Sequence, residues 1–379
     1  MNLELTAEQH KIQEQHREFT EALVIPSAVA WDRIADYPRP LFEQATEAGL
    51  TNRIVPVRYG GRGLSVLDTT IGNEELGYGC TGISTALTIN ELGLLPLLLA
   101  GSEDQKEAWL PGILADREVV SFCVTEPEAG SDVAALQTTA ARQGDRWVLN
   151  GTKLWITGGN AAAWLAIFAV TDPDQGHEGL SCFFVRADAP GIVRGDPIPK
   201  MGQRAAPAVR IEFQDCAVPD LHMLGDRGSG FLTIMQTFDT SRPLLCAQAV
   251  GLARRARDEA VAYAGRRRAF GQTISRFQGV GFMLADMDIR VAAGRGLVRH
   301  AAWLRDKGAG NTREAAIAKA YCGEAAMASA TDAVQVFGGV GYSADQPVEK
   351  LMRDAKIFQI YEGTTQIQQQ IIVRELYRS

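Results

Sequence analysis

Between about Val119 and Leu224 the chain is a succession of short β-branched and aromatic segments, and on both sides of that stretch it is helical. This order constrains the fold more than any other feature. The segments Val119–Val124, Trp147–Leu149, Trp164–Val170, Cys182–Val185 and Val209–Phe213 are separated by turn residues at Gln143-Gly144-Asp145, Pro173-Asp174-Gln175-Gly176 and Ala189-Pro190-Gly191. Val209, Ile211 and Phe213 alternate with Arg210 and Glu212, the period of a half-buried strand. Several short strands with little helix between them predict a small barrel or sandwich. Strands do not alternate with helices, which excludes a parallel Rossmann sheet. No G-x-x-x-x-G-K-[ST] phosphate loop is present either.

The flanking blocks carry helix signals. Thr6-Ala7-Glu8-Gln9 reads as a capping box. Pro40-Leu41-Phe42 with Ala45 predicts an amphipathic helix ending at Gly49, and the glycine-rich turn Tyr59–Gly63 precedes another helix from about Val66. Downstream, Ile234, Phe238, Leu245, Ala249 and Leu252 recur at helical spacing. So do Leu284, Met287, Val291 and Val298, then Ala325, Ala328 and Val336. Long helices with short links predict a bundle. Chains of 379 residues hold two or three domains at roughly 100–200 residues each. We therefore divide this one into a helical domain over residues 1–118, a β domain over residues 119–229 and a helical bundle over residues 230–379.

A net charge of −7 argues against a nucleic-acid partner, which calls for a basic face. The six cysteines form no C-x-x-C pair and no His stands at ligand spacing, so no metal site is expected and the thiols read as free and buried. The longest apolar runs, Leu92–Ala100 and Ala161–Val170, fall short of the ~20 residues that span a bilayer. Met1-Asn2-Leu3-Glu4 shows no basic stretch leading into an apolar core, so a cytoplasmic location is expected.

Chemistry is concentrated in a few segments. In Ile360-Tyr361-Glu362-Gly363-Thr364-Thr365-Gln366 a carboxylate follows the apolar residues Ile357, Phe358 and Ile360. If these are buried, the charged form of Glu362 is disfavoured and its pKa rises toward that of a useful base. The plainer reading is a solvated helix start with Thr364 as cap. Phe122–Asp132 runs from a strand into a polar turn, and Lys153–Gly159 sets a Trp and a Thr before two glycines. Both suit a flat heterocycle, and both equally describe ordinary strand ends. Asp239 and Arg242 stand one helical turn apart, as in a surface ion pair. Arg266–Gln272 reads as a solvated basic helix end or a pyrophosphate grip, and Phe337–Tyr342 as a loop or a close backbone approach to a ligand.

Taken together these segments resemble the acyl-CoA dehydrogenase family, most closely its medium-chain and short-chain branch. The resemblance runs through nearly the whole chain, on Tyr78–Gly82, Cys123–Asp132, Trp155-Ile156-Thr157, Met201–Arg204, Arg242-Pro243, Arg268–Gly271, Gln335–Gly339 and Leu351–Gln368. It implies a multidomain α+β fold: an N-terminal helical domain, a central small β-barrel and a C-terminal four-helix bundle. It also implies non-covalent FAD and a homotetramer.

By resemblance, Phe122, Val124, Thr125, Ser131, Trp155, Thr157, Thr364 and Gln366 contact FAD. Gln278 and Gly338 are further FAD contacts, and Arg268, Phe270, Gln335 and Gly339 reach the FAD of a neighbouring subunit. Ser84, Thr88, Leu92, Ser131, Phe238, Asp239, Arg242, Leu245, Tyr361 and Gly363 meet the thioester substrate. Glu362 resembles the base that takes the α-proton while the β-hydride passes to the flavin, giving a trans-2-enoyl thioester. The electrons then go to an electron-transfer flavoprotein. Isovaleryl and long-chain relatives place a base near position 241, where this chain has Ser241, so Glu362 has no competitor there. Medium-chain relatives often have two arginines near Lys307–Gly310, and their loss makes a carrier-protein-bound acyl chain an alternative to CoA. A related flavin oxidase is a further alternative.

Overall fold

The structure is a computed structural model and describes residues 4–378; Met1-Asn2-Leu3, on which the expectation about location partly rests, lie outside the described residues. Eight helices come first: α1 Ala7–Phe19, α2 Ile25–Ile34, α3 Arg39–Glu47, α4 Val66–Gly79, α5 Thr81–Leu87, α6 Ile89–Gly93, α7 Leu95–Ala100 and α8 Glu103–Ala115. The strands β1 Val120–Cys123, β2 Thr139–Gln143, β3 Arg146–Thr157, β4 Trp164–Val170, β5 Leu180–Arg186, β6 Ile192–Arg194, β7 Ala208–Pro219 and β8 Met223–Leu224 follow. The rest is α9 Gly230–Arg266, a hairpin of β9 Arg268–Ala269 and β10 Gln272–Thr273, then α10 Gln278–Asp306, α11 Thr312–Phe337, α12 Pro347–Ala355 and α13 Thr365–Leu376.

Local signals set many boundaries. Thr6 and Gln9 close their capping box reciprocally, and Gly49 turns the chain at φ +70° after α3. Through Ser84–Leu92 the helix is broken: Thr88, at φ −102° and ψ 9°, separates α5 from α6.

The strand order is β6-β7-β3-β2-β4-β5-β8, with β1 parallel to β4, so the small barrel is left open between β6 and β8. β3 and β7 each run 12 residues, longer than their apolar stretches suggest. Polar Asn150 to Lys153 continue β3 because the ladder with β7 carries them past a bulge between Leu149 and Gly151. Along β4, Leu165, Ile167 and Ala169 face a core shared with α2, α3 and α5, while Trp164, Ala166 and Phe168 face one shared with α7, α8 and α9. Burial on both faces explains why Trp164–Val170 reads as a continuous apolar run.

The bundle is made by α9, α10 and α11, with the short α13 packed on α11. α4 joins it across α9 at a close crossing. A Cβ on Gly77 would stand 2.5 Å from the Gln248 carbonyl oxygen, so the backbones meet only because that position lacks a side chain.

Under this crossing lies a buried polar cluster. Arg53 places Nε 2.6 Å and Nη2 2.8 Å from the two carboxylate oxygens of Glu91. Nη2 also bonds Asn73, and Nη1 lies 2.8 Å from His16 Nε2. His16 Nδ1 lies 2.7 Å from the Ile12 carbonyl oxygen, so the neutral ring donates there and accepts from Arg53. Burial first, and the Arg53 charge second, hold His16 down from 6.5 to about 3. The unfolded chain therefore binds a proton below pH 6.5 that the folded chain refuses until about 3. Stability is fully present above that window and is lost as pH falls through it. The unfolding free energy from urea titrations should fall by about 1.4 kcal/mol per pH unit from this group as pH drops through the window, and His16→Gln should remove that share of the slope.

Candidate functional site

A cleft with a cavity volume of about 160 Å³ opens between α5–α6, the ends of β1 and β3, the middle of α9 and the segment before α13. Glu362 stands at its wall on strained backbone. Its φ is +52°, and Gly363 follows at +92°. Consecutive left-handed residues, the first carrying a Cβ, persist only where the surroundings impose them. Three contacts do so: the Glu362 carbonyl oxygen accepts from Arg242 Nε at 3.2 Å and Gln368 Nε2 at 3.2 Å, and the Gly363 oxygen accepts from Gln368 Nε2 at 3.0 Å.

The Glu362 carboxylate accepts from Ser241 Oγ at 2.8 Å. Burial raises its pKa. The Ser241 bond, Arg242 and Lys319 pull it back without cancelling the rise. The side chain remains reachable from the cleft while protein surrounds it densely, and the dense packing governs its charge. Thr364 does cap α13, its Oγ1 accepting from Ile367 N at 3.2 Å. Glu362 is nonetheless no solvated helix start. Phe358 is buried and packs its ring edge-on against Tyr361, Ile357 is half-buried, and Ile360, expected to be buried, is exposed.

Ser241 and Arg242 reach the loop from a special point of α9. Pro243 has no N–H for the Asp239 carbonyl oxygen, and Asn311 Nδ2 takes its place at 2.8 Å. Arg242 is 3% exposed, so its pairing with Asp239, 3.9 Å away, is not the surface ion pair that its spacing suggests.

The strand ends form another wall. Buried Lys153 donates to the Val124 carbonyl oxygen at 3.0 Å and to Glu126 at 2.7 Å, and Leu154 N bonds the Thr125 oxygen at 2.8 Å. These bonds fasten Phe122–Thr125 beside Trp155–Thr157. Between Lys153 and Ile156 the β3–β7 register shifts, and there Trp155 sits at φ +60° with its side chain 50% exposed. A bulge that re-aims an aromatic ring at the rim of a cleft suits a flat ligand.

Phe122, Val124, Thr125, Trp155, Thr157, Thr88, Leu92, Phe238, Leu245, Tyr361 and Glu362 thus share one cleft. Asp239, Arg242, Gly363 and Thr364 stand behind its wall. Ser84 is buried away from it, with an Oγ that has no hydrogen-bond partner. Ser131, Arg268, Phe270, Gln278, Gln335, Gly338, Gly339 and Gln366 are exposed outside the cleft. Phe270 is 96% exposed at φ +50°, and at 1.5 Å per residue the end of α9 lies ~37 Å from Ser241.

Several lining or supporting residues escape the sequence reading. Thr85 Oγ1 donates to Gln203 and Gln248 (3.2 Å each), Gln248 Nε2 donates to Thr88 Oγ1 at 3.0 Å, and Gln203 Nε2 donates to the Tyr361 hydroxyl at 3.3 Å. Asn73 and Glu91 also line the cleft. Their one signal is a polar residue on an otherwise apolar face, as with Gln248 between Leu245 and Leu252. Among the described residues no His/Cys/Asp/Glu group could hold a metal, and no single helix is long and apolar enough to cross a membrane.

All three domains of the chain match family models. Residues 6–117 match "Acyl-CoA dehydrogenase, N-terminal domain", 121–216 the middle domain and 228–377 the C-terminal domain. A probable acyl-CoA dehydrogenase, FadE25 of Mycobacterium tuberculosis, is 40% identical over 376 residues, 97% of each chain. The solved butyryl-CoA dehydrogenase of Megasphaera elsdenii is 36% identical, with a TM-score of 0.96 and both chains covered in full. The prolyl acyl carrier protein oxidase AnaB is 32% identical, with a TM-score of 0.95 over 99% of this chain and 100% of that one.

Proposed function

The chain belongs to the acyl-CoA dehydrogenase family of FAD-dependent oxidoreductases, and from that premise we propose that Glu362 is the base that removes the α-proton of an acyl thioester. The observation that carries this reading is the Glu362 carboxylate itself. It is held in a cleft by Ser241, on backbone that neighbouring side chains force into a strained form, with a raised proton affinity. A base tuned upward by burial matches the weak acidity of the thioester α-carbon. The backbone N–H of Glu362 is the donor we assign to the thioester oxygen, where negative charge develops. Gly363 leaves room for the Gln368 amide that holds the loop, since a Cβ there would stand 2.5 Å from Gln368 Nε2.

The residues present fit FAD: the Phe122–Thr125 strand end and the bulged Trp155 line the cleft that holds Glu362. Phe122, Val124, Thr125, Trp155 and Thr157 would hold it within the chain. Bound there, FAD supplies the acceptor for the β-hydrogen. The product is a trans-2-enoyl thioester, and an electron-transfer flavoprotein is the proposed partner that takes the electrons.

Arg268, Phe270, Gln335 and Gly339 stand too far along the bundle to serve the same cleft. Their exposure on a strained hairpin and a helix end supports an assembly, proposed as a homotetramer, in which they reach a second subunit's FAD. Soluble cytoplasmic work in fatty-acid metabolism belongs to the same proposal.

The test is anaerobic bleaching of the flavin against a panel of CoA- and carrier-linked acyl chains. Bleaching by none of them would overturn the reading. Gln248, Thr85 and Thr88 bridge α5 and α9 by hydrogen bonds across the cleft and limit the chain it accepts. Gln248→Gly should shift the ratio of kcat/KM toward longer acyl chains by about fifteen-fold, on the scale of two methylenes at roughly 0.8 kcal/mol each. A carrier-bound substrate is favoured as a second reading by the likeness to AnaB and by the single cation in Lys307-Gly308-Ala309-Gly310. Bleaching by carrier-linked chains alone would select it.

A further inference from the structure

Lys319 is the only ionisable side chain among the described residues whose buried polar atom has no hydrogen-bond partner. It is 1% exposed. The other deeply buried cations are all engaged: Arg53 on Glu91, Lys153 on Glu126, Lys350 on Asp354 and Arg242 on the Glu362 carbonyl oxygen. An unbonded ammonium in the interior is costly, so its retention calls for a reason.

Its place in the fold supplies one. α11 is the floor under the loop that carries Glu362. A Cβ on Gly323 would stand 2.7 Å from the Phe358 carbonyl oxygen. Glu324 accepts from Gln359 Nε2 at 2.7 Å and from Thr365 Oγ1 at 3.1 Å. Lys319 precedes Gly323 by four residues and so shares its face. Beside it Ala318 and Cys322 of α11 share a core with Cys246 of α9, and Arg242 and Cys246, four apart on α9, both act on the Lys319 charge. Ser241 bonds the carboxylate, Arg242 bonds the Glu362 carbonyl oxygen and adds its charge from α9, and Lys319 adds a second positive charge from α11 that no hydrogen bond engages.

Resting on the assignment of Glu362 as base, we propose that Lys319 is a positioning residue whose buried ammonium keeps the Glu362 carboxylate ionised when substrate fills the cleft. Entry of an acyl chain strips water from Glu362 and favours its neutral form. A charge fixed in the protein interior is not displaced with that water. The groups facing Glu362 are Ser241 and Arg242 from α9, Lys319 from α11 and the adjacent Tyr361. Those facing Lys319 are Cys246 and Arg242 from α9, Glu324 on its own helix and Glu362. Burial brings the amine down to about 8, so it is charged at neutral pH and releases Glu362 to a higher proton affinity as pH rises past that value.

The test uses FAD-loaded Lys319→Met and Lys319→Arg. It reads the pH dependence of anaerobic flavin bleaching, and the infrared band of the protonated Glu362 carboxyl, assigned by its loss in Glu362→Gln. In Lys319→Met both midpoints should move to higher pH, with bleaching on the acid side slowed by about tenfold and the alkaline plateau little changed. Lys319→Arg should return both midpoints toward wild type. Removing a depressed, buried amine should also raise the urea midpoint at neutral pH, where a merely structural lysine would lower it.

Coinciding midpoints in wild type and Lys319→Met would overturn the proposal. So would loss of folded, FAD-binding protein in both Lys319→Met and Lys319→Arg. Normal bleaching by Glu362→Gln would instead sink the base assignment, so the two failures are told apart.

Discussion

Glu362→Gln should keep its FAD absorbance and lose substrate-driven bleaching by about 10³-fold or more, on the scale by which a positioned base accelerates proton transfer. Gln matches Glu in size and still offers an oxygen to Ser241 Oγ, now 2.8 Å from the carboxylate. The strained loop is held by bonds to the carbonyl oxygens of Glu362 and Gly363, which the substitution leaves in place. Only the proton acceptor is removed. Wild-type bleaching should fall as pH drops through the raised pKa of Glu362, because the base works only when ionised. The variant should show no such limb.

Stability separates this from general damage. A carboxyl whose folded pKa is raised contributes stability only at low pH, and that contribution is lost as pH rises through the folded value. At neutral pH the wild type therefore carries the cost of a buried charge, and Glu362→Gln should match or exceed its urea midpoint. An inactive variant with a lower midpoint would point to misfolding, and one that bleaches normally would show that another group takes the proton.

The helix–strand–helix order was legible because period and turn chemistry are local. Thr6 and Gln9, Gly49 and the run Trp164–Val170 all announce what they form. The site was only half legible. Glu362 and Trp155 stand in motifs, yet nothing local reveals that both occupy left-handed backbone, since that conformation is imposed by Arg242, Gln368 and the β3 bulge. Asp239 and Arg242 illustrate the opposite error. Spacing suggested a surface pair, but burial depends on what packs over α9, and the 358–364 loop covers Arg242 from more than a hundred residues away. Gln248, Lys153 and Lys319 were missed for the same reason. A polar residue on an apolar face means little until its partner, or the lack of one, is known.

Glu91→Ala should cost about 3–5 kcal/mol, the usual effect of removing one partner of a buried ion pair. Arg53 is fully buried and grips both oxygens of Glu91 at 2.6 and 2.8 Å, so the variant strands a guanidinium among neutral groups, Asn73 and the depressed His16. Exposure decides the size of such effects. Glu103 pairs with Arg58 at a similar 2.7 Å, but both side chains are more than half exposed, and Glu103→Ala should cost no more than about 1 kcal/mol from that pair. Replacing both partners tests whether the cost comes from the orphaned charge or from lost attraction. Arg53→Met with Glu91→Leu should be less destabilising than Glu91→Ala alone, because no uncompensated charge remains inside. Urea midpoints of the three variants give the order directly. Glu91 and Asn73 also line the acyl cleft, so Glu91→Ala should weaken thioester binding at urea-free equilibrium, while the exposed Glu103→Ala leaves it unchanged. If Glu91→Ala and Glu103→Ala cost the same, the buried cluster is not what ties α6 to the crossing of α4 and α9.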